Sequence, residues 1–304
     1  MMRTTEGTFE TIDGLTLFER AWLPDGDARA VLVIVHGYAE HSGRYQHVGE
    51  ALAARGYAVE TLDLRGHGKS GGDRAIVRSF SRFLADLRRF VARVRQRHPG
   101  LPLFVLGHSM GGTIVTLYAI HDQPAVEGIV LSGPGLVARG GISQLLAPVY
   151  SAVGKLAPNL PLAELKAETV SRDPAVVEAY DNDPLVYRGK IKAGMLRAFD
   201  EALGRIGDGM ETVSAPLLIL HGTADELTEP DGSRRLYDRA RSADKTLRIY
   251  NGLAHEVLNE PEKERVIGEL LRWLDAHSAP AVSGAGVAST AGEGAVGAAA
   301  PADA

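Results

Sequence analysis

Short apolar runs alternate along this chain with longer segments whose apolar residues recur every three or four positions. The runs read as strands: AVLVIV at 30–35, then 57–62, 103–106, 127–131, 216–220 and 246–250. Strands that are apolar at every position are buried on both faces, which predicts a mostly parallel sheet covered by helices on either side. Helical periodicity fills the intervals at 45–55, 80–97, 113–121, 231–241 and 261–276. Gly56 ends the first helix and Pro99-Gly100 the second. Two more strands, near 7–13 and 15–22, open the chain, and Asp13-Gly14 between them predicts a two-residue hairpin turn. The repeated strand–helix order predicts an α/β fold.

Between 135 and 211 the alternation stops. No clear strand is visible there, yet ISQLLAPVYSAVGKLAPNLPLAEL is unusually apolar for an external segment. It reads as a helical insertion between two sheet strands, forming a cap over one end of the sheet. The competing reading is that it is simply more core. After Ser278 the composition is Ala, Gly, Ser and Pro with almost no large side chain, too little to offset the entropy of ordering. The expected organisation is therefore a core over 1–134 and 212–277, a cap over 135–211 and a disordered tail over 278–304.

Composition narrows the chemistry. With 304 residues, 45% of them hydrophobic, the chain can bury the core of one large domain or two ordinary ones. Its net charge is −5, and the basic stretch from Arg88 to Arg97 alternates with apolar residues as the wet face of a helix does, so nucleic acid is not indicated. The chain has no cysteine, which excludes disulfides, thiolate metal sites and cysteine nucleophiles. MMRTTEGTFETIDG lacks an apolar signal region and no run is long enough to span a bilayer, so a cytoplasmic protein is expected.

G-x-S-x-G, the pattern of a serine nucleophile, occurs twice: GKSGG at 68–72 and GHSMG at 107–111. Only the second follows an apolar strand and opens a helix, the context in which a tight elbow lifts a serine to the head of the helix. Ser109 is therefore the candidate nucleophile. GKSGG also fails as a phosphate-binding loop, because the first glycine would fall at residue 63, which is Asp63, and no helix follows. Asp63, Arg65 and His67 are expected to fix the geometry of that loop.

A serine hydroxyl needs a base, and the base needs an acid to orient it. In this architecture they follow the serine in the order acid, histidine, on loops at strand ends. HGTAD ends one strand and NGLAH another, which selects Asp225 over its neighbours Glu226 and Glu229, and His255 among ten histidines. His36, His108 and His221 abut strand ends and are expected to line the site or brace loops. His98, His121 and His277 are expected at the surface. The backbone N–H of Met110 and of Tyr38, in the loop after AVLVIV, are the candidate oxyanion donors.

HGYAEHSGRY, DLRGHGKSGG, GHSMGG, HGTADELT and HEVLNEP, in this order, resemble the monoacylglycerol lipase family of α/β-hydrolases, its bacterial members in particular, over roughly residues 8–275. The resemblance implies an α/β-hydrolase core, a mobile apolar cap and cleavage of monoacylglycerols to glycerol and fatty acid. It implies no metal and no cofactor. It supports the triad Ser109, Asp225 and His255, the oxyanion donors Tyr38 and Met110, and polar contacts to the glycerol end from Glu40, Arg44, His108 and Tyr180. Tyr38 departs from the small residue expected there. The implied partner is a lipid substrate, and the apolar residues over 142–165 themselves suggest peripheral membrane contact through the cap. A lysophospholipase, a short-chain carboxylesterase or a catalytically inactive binding protein of the same fold are the alternatives.

Overall fold

The computed structural model describes residues 2–137 and 147–278. Along the chain come β1 (Arg3–Glu10), β2 (Thr16–Leu23), β3 (Ala30–Val35), α1 (Gln46–Ala53), β4 (Tyr57–Leu62), α2 (Phe80–Arg97), β5 (Leu103–His108), α3 (Met110–Asp122) and β6 (Gly128–Ser132). Then follow α4 (Ala147–Leu156), β7 (Pro161–Ala163), α5 (Pro174–Asn182), β8 (Ile191–Lys192) and α6 (Ala193–Gly209). The chain returns with β9 (Leu217–Gly222), α7 (Pro230–Arg239), β10 (Lys245–Tyr250) and α8 (Lys263–His277). The eight-stranded sheet has the order β1-β2-β4-β3-β5-β6-β9-β10. β2 pairs antiparallel with β1 and β4, and every other neighbouring pair is parallel. This is the mostly parallel α/β sheet that the apolar runs predicted, in keeping with the α/β-hydrolase core that the resemblance implied.

The central strands β3, β4, β5, β6 and β9 are buried at every position because successive side chains feed two different cores. Val31, Val33, Val35, Leu103, Val105, Ile129 and Leu131 join residues of α2 and α3 on one face. Leu32, Ile34, Phe104, Leu106, Val130, Leu218 and Leu220 join residues of α1 and α8 on the other. α3 is buried along its length from Met110 to Ile120. A helix that is apolar all round must be covered all round. Part of that cover comes from α6, whose Met195, Ala198, Ala202 and Ile206 enter the same core as Ile114, Leu117 and Tyr118. The segment between β6 and β9 is thus anchored in the main core at its end, while Ala167, Val170, Tyr180 and Val186 form a small cluster of their own.

Several expectations are corrected. The first hairpin is not closed by a two-residue turn. Thr11 N–H donates to Leu15 O at 2.8 Å and Gly14 N–H to Thr11 O at 3.1 Å, so the connection spans 11–15. The Thr11 hydroxyl holds it, accepting from Leu15 N–H at 2.9 Å and donating to Asp13 at 2.6 Å. The helix expected over 45–55 begins as a 3₁₀ turn, Ser42–Tyr45, before α1. The helix expected from 113 starts at Met110, directly behind the candidate nucleophile. The 135–211 segment does contain strands: β7 and β8 pair antiparallel, but three and two residues are too short to show alternation. The expected tail beyond Ser278 and the 138–146 part of the apolar stretch lie outside the described residues. Among those described, no helix is long and apolar enough to cross a membrane.

Candidate active site

The parallel strands all deliver their next residues to the same edge of the sheet, their carboxyl ends. His36 leaves β3, Asp63 leaves β4, Ser109 leaves β5, and the loops after β9 and β10 carry Asp225 and His255. Ser109 sits between strand and helix with φ 52° and ψ −117°, a strained backbone for a residue with a Cβ. Packing holds it there. Its N–H donates to Ser132 O at 3.0 Å and its carbonyl accepts from Gly135 N–H at 2.9 Å. The elbow also needs its glycines, since a Cβ on Gly111 would stand 2.1 Å from the Val35 carbonyl oxygen.

Asp225 and His255 meet as the order of motifs requires: His255 Nδ1 lies 2.7 Å from Asp225 Oδ2. Both are buried. Asp225 is also held by Leu227 N–H at 2.8 Å, Thr228 N–H at 2.9 Å and the Thr228 hydroxyl at 2.8 Å. Burial alone would raise its pKa, but the charge of His255 and these hydrogen bonds keep it well below the ordinary carboxylate range. Burial pushes His67 down to about 3 and His108 down to about 4. At His255 burial acts the same way but is outweighed by Asp225, which leaves it above the ordinary 6.5. With Nδ1–H given to Asp225, the lone pair of the neutral ring is on Nε2, the atom a serine base needs.

The loop after β3 closes against this centre. A Cβ on Gly37 would lie 3.1 Å from Ser109 Cβ and 3.3 Å from His108 Cδ2. Gly37 N–H donates to Glu40 at 2.6 Å, and Ala39 adopts a positive φ of 68°. Tyr38, the departure from the expected small residue, packs its ring edge-on against His67 and Tyr187 and directs its hydroxyl to Ala75 O at 3.3 Å. Met110 is the first residue of α3, so its N–H is one of those without an intrahelical partner.

Glu40, Arg44 and Tyr180 come together, and they do so around a residue that the sequence reading missed. Arg44 bridges Glu40 at 2.9 Å and Glu256 at 2.5 and 2.7 Å, with its guanidinium 4.7 Å over the Tyr180 ring. Glu256 follows His255 directly, so one buried cation ties the β3 loop to the histidine loop and to α5. A charged residue next to the candidate base inside an apolar loop was the available signal. Among the described residues His108 makes no hydrogen bond to that cluster; it gives Nδ1–H to Ser132 O at 2.9 Å, with its ring 4.8 Å from that of His255.

This network makes a pH-dependent prediction. Burial would raise Glu40, but Arg44, then His108 and His36, bring it down to about 2. Its stabilising contribution is complete above its ordinary value of 4.5 and is lost as pH falls towards 2. Arg44→Met leaves two buried carboxylates unpaired, at a cost of about 3–5 kcal/mol. Glu40, without the charge that chiefly holds it down, then titrates upwards, so the variant should regain part of its lost thermal stability between pH 7 and pH 5. Equal destabilisation at both pH values would contradict this reading.

The other histidines divide differently from expectation. His36 braces a loop, accepting from Leu64 N–H at 2.8 Å, and His221 lies against Asp225. Of the three expected at the surface only His121 is exposed; His98 pairs with Glu60 at 2.7 Å and His277 stacks on Trp273. Ser70 of the rejected pattern donates to Asp63 O at 2.5 Å and accepts from Phe18 N–H at 2.8 Å. Asp63 accepts from Ser42 and Lys69 N–H, both at 2.8 Å, and Arg65 pairs with Asp86 and Asp13. DLRGHGKSGG is thus a brace beside the site.

A family model described as serine aminopeptidase, S33, matches residues 26–262. A monoacylglycerol lipase of Mycolicibacterium smegmatis is 44% identical, covering 90% of this chain and 98% of that protein. A monoglyceride lipase of Homo sapiens is 35% identical, covering 88% of this chain and 90% of that one. The crystal structure of Paleococcus ferrophilus monoacylglycerol lipase is 31% identical, with a TM-score of 0.76 over 91% of this chain and 100% of its own. Because these matches run through the sheet, the elbow and both later loops, the chain belongs to the monoacylglycerol lipase family of α/β-hydrolases and is an ester hydrolase.

Proposed function

We propose that this chain hydrolyses monoacylglycerols to glycerol and free fatty acid through an acyl-enzyme on Ser109. The observation that carries the reading is the buried Asp225–His255 pair, 2.7 Å apart, on loops at the same sheet edge as a serine with strained backbone. His255 Nε2 takes the Ser109 proton as Oγ attacks the ester carbonyl. The Tyr38 and Met110 N–H groups receive the oxyanion, each such donor lowering the barrier by about 2.7–4 kcal/mol. The tetrahedral adduct expels glycerol, whose oxygen takes the proton from His255 Nε2. Water then attacks the acyl-serine by the same route and releases the fatty acid.

The glycerol end lies among Glu40, Arg44, His108 and Tyr180, where the Arg44 network gives the polar wall a fixed shape. The 135–211 segment acts as a cap and receives the acyl chain, each buried CH₂ contributing roughly 0.8 kcal/mol. Leu156 is 87% exposed, Leu160 45% and Leu162 36%, an apolar edge suited to resting on a lipid surface.

A substrate panel tests this: mono-, di- and triacylglycerols, lysophospholipids and nitrophenyl esters of graded length, presented in micelles and in liposomes. Monoacylglycerol should give the highest kcat/KM. A clear preference for lysophospholipid would overturn the substrate assignment. Paired Leu156→Glu and Leu160→Glu replacements should weaken turnover on liposomes and spare it in micelles; an equal effect on both would exclude the membrane contact.

A further inference from the structure

His221 is fully buried near the end of β9, four residues before Asp225. Its Nε2 stands 3.1 Å from Asp225 Oδ2, the same oxygen that His255 Nδ1 holds at 2.7 Å. Thr228 O lies 3.3 Å from it and the Thr228 hydroxyl 3.4 Å, but that hydroxyl gives its own proton to Asp225 Oδ2 at 2.8 Å. Asp225 Oδ2 and Thr228 O are acceptors, so Nε2 carries a ring proton and shares it between them. Nδ1 lies 2.7 Å from the hydroxyl of Ser233, on α7, which donates to it and fixes the tautomer. Two histidines therefore point N–H groups at one carboxylate oxygen.

We propose that His221 is a positioning residue of the hydrolase, sharing Asp225 Oδ2 with His255 and setting how much of the carboxylate's charge reaches the catalytic base. The proposal rests on the triad reading above. A hydrogen bond donated to a carboxylate draws its charge towards the donor and weakens its pull on a competing proton. The groups facing His255 from the surrounding elements are Asp225, His108 from β5, Glu40 from the β3 loop and its own neighbour Glu256. Glu40 and Glu256 share the single positive charge of Arg44, which offsets part of their pull on His255. The largest charge raising His255 is that of Asp225, and His221 is an ionisable group that competes with His255 for the same oxygen. By taking part of that charge, His221 keeps His255 in its basic form at lower pH.

The test is the pH profile of kcat/KM, whose acid limb reports His255 in the free enzyme. It is measured on monoacylglycerol and on a short nitrophenyl ester for the wild type, His221→Leu, His221→Gln and Ser233→Ala. The Gln amide nitrogen reaches the position of Nε2 and keeps the donor. His221→Leu should move the acid limb up by about half a pH unit or more, so that activity below the limb drops about threefold while the alkaline plateau stays within about twofold. His221→Gln should leave the limb in place. Ser233→Ala, which frees the tautomer without opening a large cavity, should move it the same way by less. An unmoved limb in both His221→Leu and Ser233→Ala, a limb moved down, or Gln behaving as Leu does would overturn the proposal. Loss of the wild-type activity on Ser109→Ala, measured alongside, tests the triad separately.

Discussion

Ser109→Ala is expected to lower kcat by at least about 10⁴-fold, while Ser70→Ala keeps activity within a few-fold. The two serines share one five-residue pattern and differ in what surrounds them. Ser109 has φ 52° between β5 and α3, beside the Gly37 backbone, with its main chain pinned by Ser132 and Gly135. Alanine keeps the Cβ and the backbone bonds, so the variant should fold with almost unchanged thermal stability and lose only the nucleophile. Ser70 is the opposite case. Its hydroxyl joins Phe18 N–H to the Asp63 carbonyl. Removing it strands both partners inside the protein, at about 1–3 kcal/mol each if no water replaces it. Ser70→Ala should thus melt lower and still turn over. A fluorophosphonate probe, read by intact mass, checks the assignment directly: the label should vanish in Ser109→Ala and persist in Ser70→Ala. Labelling of Ser70, or more than about one per cent residual kcat in Ser109→Ala, would defeat it.

The sheet was legible because its central strands are short, almost wholly apolar runs buried at every position, and that pattern has no other comfortable home than a sheet with two covered faces. The Asp225–His255 pair was legible because both loops follow strands in the expected order. What stayed hidden depends on contacts between distant parts of the chain. Arg44 and Glu256 are 212 positions apart, and neither motif shows that one guanidinium joins them. His221 reads as one more histidine at a strand end until Asp225 folds back onto it. The turn at 11–15 was misread because a single hydroxyl, that of Thr11, outcompetes the local preference of Asp13-Gly14. The β7–β8 ribbon pairs so few residues that its alternation is invisible in one dimension.

Asp225→Asn should cost about 10³–10⁴-fold in kcat, and more than its small change in shape suggests. Both oxygens of Asp225 are used only as acceptors. Oδ1 receives Leu227 N–H and Thr228 N–H. Oδ2 receives His255 Nδ1 and the Thr228 hydroxyl, with His221 Nε2 at 3.1 Å. An amide has one oxygen and one NH₂, so neither orientation fits. With NH₂ towards the backbone, two main-chain donors face a donor, and the turn carrying residue 225 is strained. With NH₂ towards His255, the imidazole must turn its lone pair to Nδ1 and its proton to Nε2, where it can no longer accept from Ser109. Either way the base loses the carboxylate that raises it above the ordinary histidine value, so the acid limb of kcat/KM should move down as the plateau collapses. KM should change little, because Asp225 is buried behind His255 and has no place in the proposed substrate contacts. A kcat within tenfold of wild type, with the limb unmoved, would mean that Asp225 is not the acid of this enzyme.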